Sequence, residues 1–204
     1  MNVKPHLASH IDLLDTTGLA IIEAIKGGTY PPGRRTQLQV AYCHLVIEHQ
    51  FAVAHLLEGR MTGSAFALAR PAFEALVKGL WLYHCATDEE LEKHASGKEL
   101  DQIAKLSERL LLVDLPAVIT TSIHRVKTNY WKALSSLTHM GHSQLRHWLN
   151  EDGVQANYPD AALHELANFA SFMALVAGRE LALRASNTEG VIRLTNMLPE
   201  LPTQ

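Results

Sequence analysis

Residues 36–58 constrain the chain more than any other stretch, because apolar side chains fall on nearly every face of the helix they would form. Leu38, Val40, Leu45, Val46, Ile47, Phe51, Val53, Leu56 and Leu57 recur at no single helical phase. A helix apolar all round is stable in water only when other elements surround it. This segment is therefore expected to be a central helix, starting near Thr36 as N-cap and ending at Glu58 before Gly59. A chain with such a helix needs neighbours of the same kind, and the remaining sequence offers them.

Residues 8–26 place Ile11, Leu14, Leu19, Ile22 and Ile25 at helical spacing and stop at Gly27-Gly28. A third helix is expected over 63–86, with Pro71 either kinking it or lying in the first turn of its second half. Thr87-Asp88-Glu89-Glu90 reads as a helix start, with acidic residues where the helix dipole favours them. Gly97 separates it from an amphipathic stretch over 98–113. Pro116 opens a helix to about 138, Gly141 bends the chain, and a further turn or two can continue to Trp148. Residues 150–159 read as loop, and an alanine-rich helix is expected over 160–186. No run alternates apolar and polar residues as a half-buried strand would. The expected fold is all-α: one domain over 1–204, an antiparallel bundle of about six to seven helices with a frayed tail from about 199.

Composition excludes several classes. The net charge of −3 provides no global field for nucleic acid or anionic lipid, so nucleic acid could be met only through a local basic patch. Charged residues are only 19% of the chain, which points to surface covered by a core or by a partner, and a homodimer is expected. Met1 to His10 lacks the apolar stretch of a signal peptide, and the longest uncharged apolar-rich run, 167–178, is short for a bilayer span. A cytoplasmic location without membrane association is the expectation. The two cysteines, Cys43 and Cys85, lie in apolar runs without a CxxC pair and are read as small core hydrophobes.

Three constellations carry possible chemistry. Arg70 and Glu74 are four apart on a helix face shared with Phe66, Phe73, Val77 and Trp81. Opposite charges on such a face should pair, either as a desolvated structural pair that fixes register or as part of a site. His44, Glu48 and His49 on the central helix need partners if that helix is buried. The densest group runs from Trp131 to Trp148, where His139, His142, Gln144, Arg146 and His147 surround Gly141. Histidine can serve as acid or base and arginine can grip a phosphate or carboxylate. The plain alternative is a helix end whose carbonyls are satisfied by basic side chains. No Glu-x-x-His, His-Glu-x-x-His, phosphate-binding glycine loop or Gly-x-Ser-x-Gly is present. A zinc site from His139 and His142 with His44 or Glu48 is conceivable but not adopted; no metal and no cofactor is expected.

Arg70-x3-Glu74 followed by Trp131-x2-Leu134-Ser135-x3-His139 resembles uncharacterised bacterial all-helical proteins grouped as domains of unknown function, themselves distantly like HEPN domains. The resemblance spans about 63–148. It implies a helical bundle, often dimeric, with the arginine, glutamate and histidine close together. HEPN ribonucleases carry Arg-x4-6-His, and no arginine here has a histidine at that spacing. The leading expectation is thus a polar pocket for a small or anionic ligand or a partner contact, built from Arg70, Glu74, His139, His142, Gln144 and Arg146. The alternative is a HEPN-like RNA-cleaving or RNA-binding protein of a toxin or defence system, with His139 as acid/base and Arg146 as phosphate clamp.

Overall fold

The computed structural model describes residues 5–150 and 153–199, so most of the tail expected to fray, from 200 on, lies outside the described residues. The chain forms an all-α bundle. Its helices are α1 (Pro5–Ile25), α2 (Arg34–Glu58), α3 (Thr62–Ala67), α4 (Ala69–His84), α5 (Asp88–Ala95), α6 (Ile103–Leu110), α7 (Ala117–Arg125), α8 (Trp131–Thr138), α9 (His142–Arg146), α10 (Asp160–Arg184) and α11 (Thr188–Asn196). A π-helical turn, Val126–Tyr130, joins α7 to α8 without a break. Among the described residues the count exceeds the expected six to seven because α3 separates from α4, the π-turn divides α7 from α8, and α9 and α11 are short pieces that periodicity alone does not resolve.

α10 is the central element. It packs on α1, α2, α4 and α11, and Leu166, Phe172, Met173, Leu175, Val176 and Leu181 are buried along it. Its length and composition would also suffice for a membrane span, but 78% of its most apolar window is buried inside the bundle. The apolar surface of α10 is thus matched to its neighbouring helices. α2 packs on α4, α10 and α1, yet it is less central than its sequence implies. His44, Leu45, Glu48, Phe51 and His55 form an exposed side, so His44 and Glu48 face water and need no protein partner. His49 is half-buried, and burial lowers its pKa against the opposing effect of Glu48.

Local chemistry sets the helix boundaries. α2 begins two residues before Thr36, which is buried within it, and Gly33 takes the capping position. α3 stops at Ala67 and α4 starts at Ala69, placing Pro71 in the first turn of α4, where a missing N–H breaks no ladder bond. Thr87 and Glu90 form a capping box: the Glu90 amide donates to Thr87 Oγ1 at 3.2 Å and the Thr87 amide to Glu90 Oε2 at 2.7 Å. Residues 98–102 lie outside the helix expected there, and α6 begins only at Ile103. α11 opens on Asn187, whose side chain accepts from the Gly190 amide at 3.0 Å. Within the segment expected as loop from 150, Leu149–Asn150 (β1) pairs antiparallel with Gly153–Val154 (β2). Strands of two residues are too short to show alternation.

The bend after α8 differs from the one expected at Gly141. The left-handed residue is Met140, with φ 52°, while Gly141 has φ −74°. The Gly141 amide donates to Ser136 O at 2.7 Å, the six-to-one bond of a Schellman end. Glycine is needed at 141 for space: a Cβ there would lie 2.6 Å from Ser136 Oγ and 3.1 Å from its carbonyl oxygen.

A buried ionic network ties four helices together. Glu180 on α10 is fully buried. Its carboxylate accepts from Arg179 Nη1 at 2.6 Å, from Gln39 Nε2 of α2 at 3.0 Å and from His84 Nε2 of α4 at 3.0 Å. Arg184 Nη2 stands 3.7 Å away, and its guanidinium lies 3.8 Å from the centre of the Tyr83 ring. Arg179 Nε reaches Thr195 Oγ1 of α11 at 3.2 Å. Nearby Cys43 is buried, and burial together with the Glu180 charge pushes its thiol far up, so it stays protonated and unreactive.

Candidate functional site

α4 places Arg70 and Glu74 one turn apart, and Arg70 Nε donates to Glu74 Oε1 at 2.7 Å. Their side chains are 22% and 27% exposed, so the pair is half-buried rather than desolvated. Glu74→Ala is accordingly expected to cost about 1–2 kcal/mol, between the values for a surface pair and a buried one. Chemical denaturation of the variant measures that loss.

The guanidinium is held at three points. Besides Glu74, it lies 4.6 Å from the centre of the Trp131 ring, and its Nη1 lies 2.9 Å from His139 Nε2. Arginine can only donate, so His139 Nε2 is the lone-pair nitrogen here and the ring proton sits on Nδ1. The π-turn brings a second cation to the same tryptophan, with Lys127 Nζ 4.8 Å from the ring. Phe73, fully buried on α4, backs the indole at 6.2 Å between ring centres.

Arg70, Glu74, Lys127 and Trp131 border a cavity of about 360 Å³ together with Lys78 and Asp101 among others, while His139 and Phe73 lie behind its lining. α4 forms one wall, the π-turn and the start of α8 a second, and residues 100–104 a third. The cavity is polar and open. Its three fixed cations exceed its two carboxylates. Such a surface favours an anion of modest size over an extended polyanion.

The remaining expected site residues separate from this group. Gln144 on α9 donates from Nε2 to Gly63 O at 2.8 Å, anchoring α9 to the first turn of α3. A Cβ on Gly63 would meet Gln144 Nε2 at 2.6 Å and the Tyr158 hydroxyl at 3.2 Å, so the contact requires glycine. His142 and Arg146 are exposed, and no hydrogen bond or ion pair joins them to Arg70 or His139 among the described residues. The structure thus brings Arg70, Glu74 and His139 together and leaves His142, Gln144 and Arg146 outside the cavity wall. Among the described residues no three His, Cys, Asp or Glu side chains converge as metal ligands.

Sequence reasoning missed Lys78, Lys127 and Asp101. Lys78 was within reach of it, since it follows Arg70 and Glu74 at the same four-residue interval. Lys127 precedes Trp131 by four, but the π-turn between them alters their relation. Asp101 comes from a segment expected to be helical and had no signal of its own.

A model of a family described as a family of unknown function (DUF6988) matches residues 43–201 of the chain. The match includes every residue of the cavity. No curated protein and no solved structure matches.

Proposed function

The chain belongs to this family of unknown function, DUF6988, and from the cavity itself we propose that the protein binds a small anion carrying a phosphate or carboxylate group. One observation carries the reading. Arg70 is fixed through Nε, Nη1 and the guanidinium face it lays over the Trp131 ring, while Nη2 has no protein acceptor among the described residues. A guanidinium immobilised in advance loses little entropy when it grips an oxyanion. Lys78 and Lys127 add charge at the rim, and Glu74 serves as the orienting partner of Arg70. His139 supplies the acceptor for Nη1.

Inorganic phosphate and pyrophosphate titrated calorimetrically at low salt test the proposal. Saturable binding is expected, weakening as salt rises and at least tenfold weaker in Arg70→Ala, with Arg70→Lys recovering only part of the loss. Absence of binding for both anions, or an unchanged affinity in Arg70→Ala, counts against it. The RNA-cleaving alternative needs Arg146 near His139, and their geometry does not support it. Cleavage of an RNA oligonucleotide that vanishes in a folded His139→Ala variant would promote that alternative.

The proposal includes self-association. Leu19 and Ile22 on α1 and Leu45 and Phe51 on α2 are exposed, and Phe51 lies against Gly18 on the neighbouring helix. These exposed apolar side chains on two packed helices support a homodimer. Sedimentation at micromolar concentration is expected to give twice the monomer mass, and a monomer would remove this part of the reading.

A further inference from the structure

A second cavity, of about 130 Å³, lies between α3, the start of α4, the π-turn, α8 and α10. Phe66, Tyr130, Leu134, Leu137 and Phe169 form its walls, and the carboxylate-bearing residue in its lining is Glu165. Phe73 stands between the two cavities, with its ring 6.5 Å from Phe169 on this side and 6.2 Å from Trp131 on the other. The π-turn serves both: Val126 and Tyr130 line the apolar cavity, and Lys127, with Trp131 at the start of α8, the polar one. π-turns of this kind recur at functional positions because they redirect side chains that a regular helix would place elsewhere.

We propose that this apolar cavity is a separate binding site for a small aromatic or branched alkyl group carrying an ammonium head, with Glu165 receiving the head. Size supports the choice of tail, because an apolar void near 150 Å³ stays dry and takes up a benzene-sized molecule. The wall supports it too: three of its members are aromatic, and offset or edge contacts with an entering ring are available to them. Access follows from exposure, since Ala133 and Glu165 are exposed while Leu134 and Leu166 are buried, which sets a mouth and a floor. An exposed carboxylate beside an otherwise apolar lining selects a cationic head over an anionic one. The site is independent of the anion proposal: it uses none of Arg70, Lys78 or Lys127.

Benzylamine and its neutral counterpart benzyl alcohol are the probes, followed by NMR chemical-shift titration of the full chain. Both are expected to bind saturably, benzylamine at least fivefold more tightly, with the largest shifts at Tyr130, Leu137 and Phe169. Glu165→Gln is expected to abolish the preference while leaving benzyl alcohol unchanged. Ala133→Phe, an exposed position whose enlargement fills the mouth, is expected to abolish both, with the circular dichroism spectrum and phosphate binding unaltered. Failure of either probe to bind, equal affinity for the two in the parent, or full binding in Ala133→Phe would each overturn the proposal. Unaltered phosphate binding beside lost benzylamine binding separates this site from the polar one.

Discussion

Replacing Glu180 with alanine is expected to destabilise the protein by about 3–5 kcal/mol, because it leaves Arg179 and Arg184 as buried cations without their counter-ion. Glu180→Gln is expected to cost nearly as much, although it preserves volume, since the lost element is charge. Denaturant titration of both variants separates charge from packing, and a loss below about 1 kcal/mol would show that water reaches the network. Burial opposes ionisation of Glu180, but the His84 hydrogen bond and the charges of His84, Arg179 and Arg184 outweigh it and hold the carboxyl below its ordinary value of 4.5. A carboxyl depressed in the folded state contributes stability that is fully present above its unfolded value and fades as pH falls through the folded one. The stability difference between the parent and Glu180→Ala is therefore expected to shrink as acid protonates the folded-state carboxylate.

Phe73→Ala is the second large effect, with an expected loss of about 3–5 kcal/mol from a fully buried ring. It also removes the ring that packs against both Phe169 of the apolar cavity and Trp131 of the polar one. Trp131 loses its backing and with it the fixed geometry of Arg70 and Lys127, so phosphate affinity is expected to fall alongside stability. Phe73→Leu keeps an apolar wall and is expected to cost only about 1–2 kcal/mol. Denaturation and phosphate titration on the two variants read the two consequences separately. An unchanged phosphate affinity in folded Phe73→Ala would show that Arg70 is positioned without the indole.

Much of this arrangement is written in local sequence. Helical periodicity, the Gly27-Gly28 stop, Pro71 and the Thr87–Glu90 capping box each act over a few residues and give the element order. What depends on distant packing does not. In α2 the apolar residues Leu45 and Phe51 look like core, and only the placement of α1, α4 and α10 reveals which side of the helix stays wet. α11 offers a short stripe of Val191 and Leu194 after an asparagine cap, too little to stand out from loop. Within the site, the Arg70–Glu74 pair is a four-residue relation, and the His139 segment shows itself through its density of polar side chains. Its contact with Arg70 spans 69 positions and follows from how α8 docks on α3 and α4. Glu180 sits between Arg179 and Arg184 on an otherwise apolar helix. Its neighbours Gln39 and His84 come from two other helices, and no spacing rule links them.

The π-turn ties sequence length to the chemistry of both cavities. Each residue of a regular helix advances the next by about 100°. The turn at 126–130 absorbs an extra residue, so α7 and α8 run along one axis but are read in different phases. Ile119 and Ile123 face the core in one phase, while Trp131, Leu134 and His139 meet α4 in the other. Removing one residue from the turn restores regular winding and leaves the residues downstream close to their present phase, whereas removing a second or adding one turns everything downstream by that angle. Substitutions in this stretch alter a single contact. A change in its length that the winding does not absorb moves the indole, the imidazole and Leu134 together.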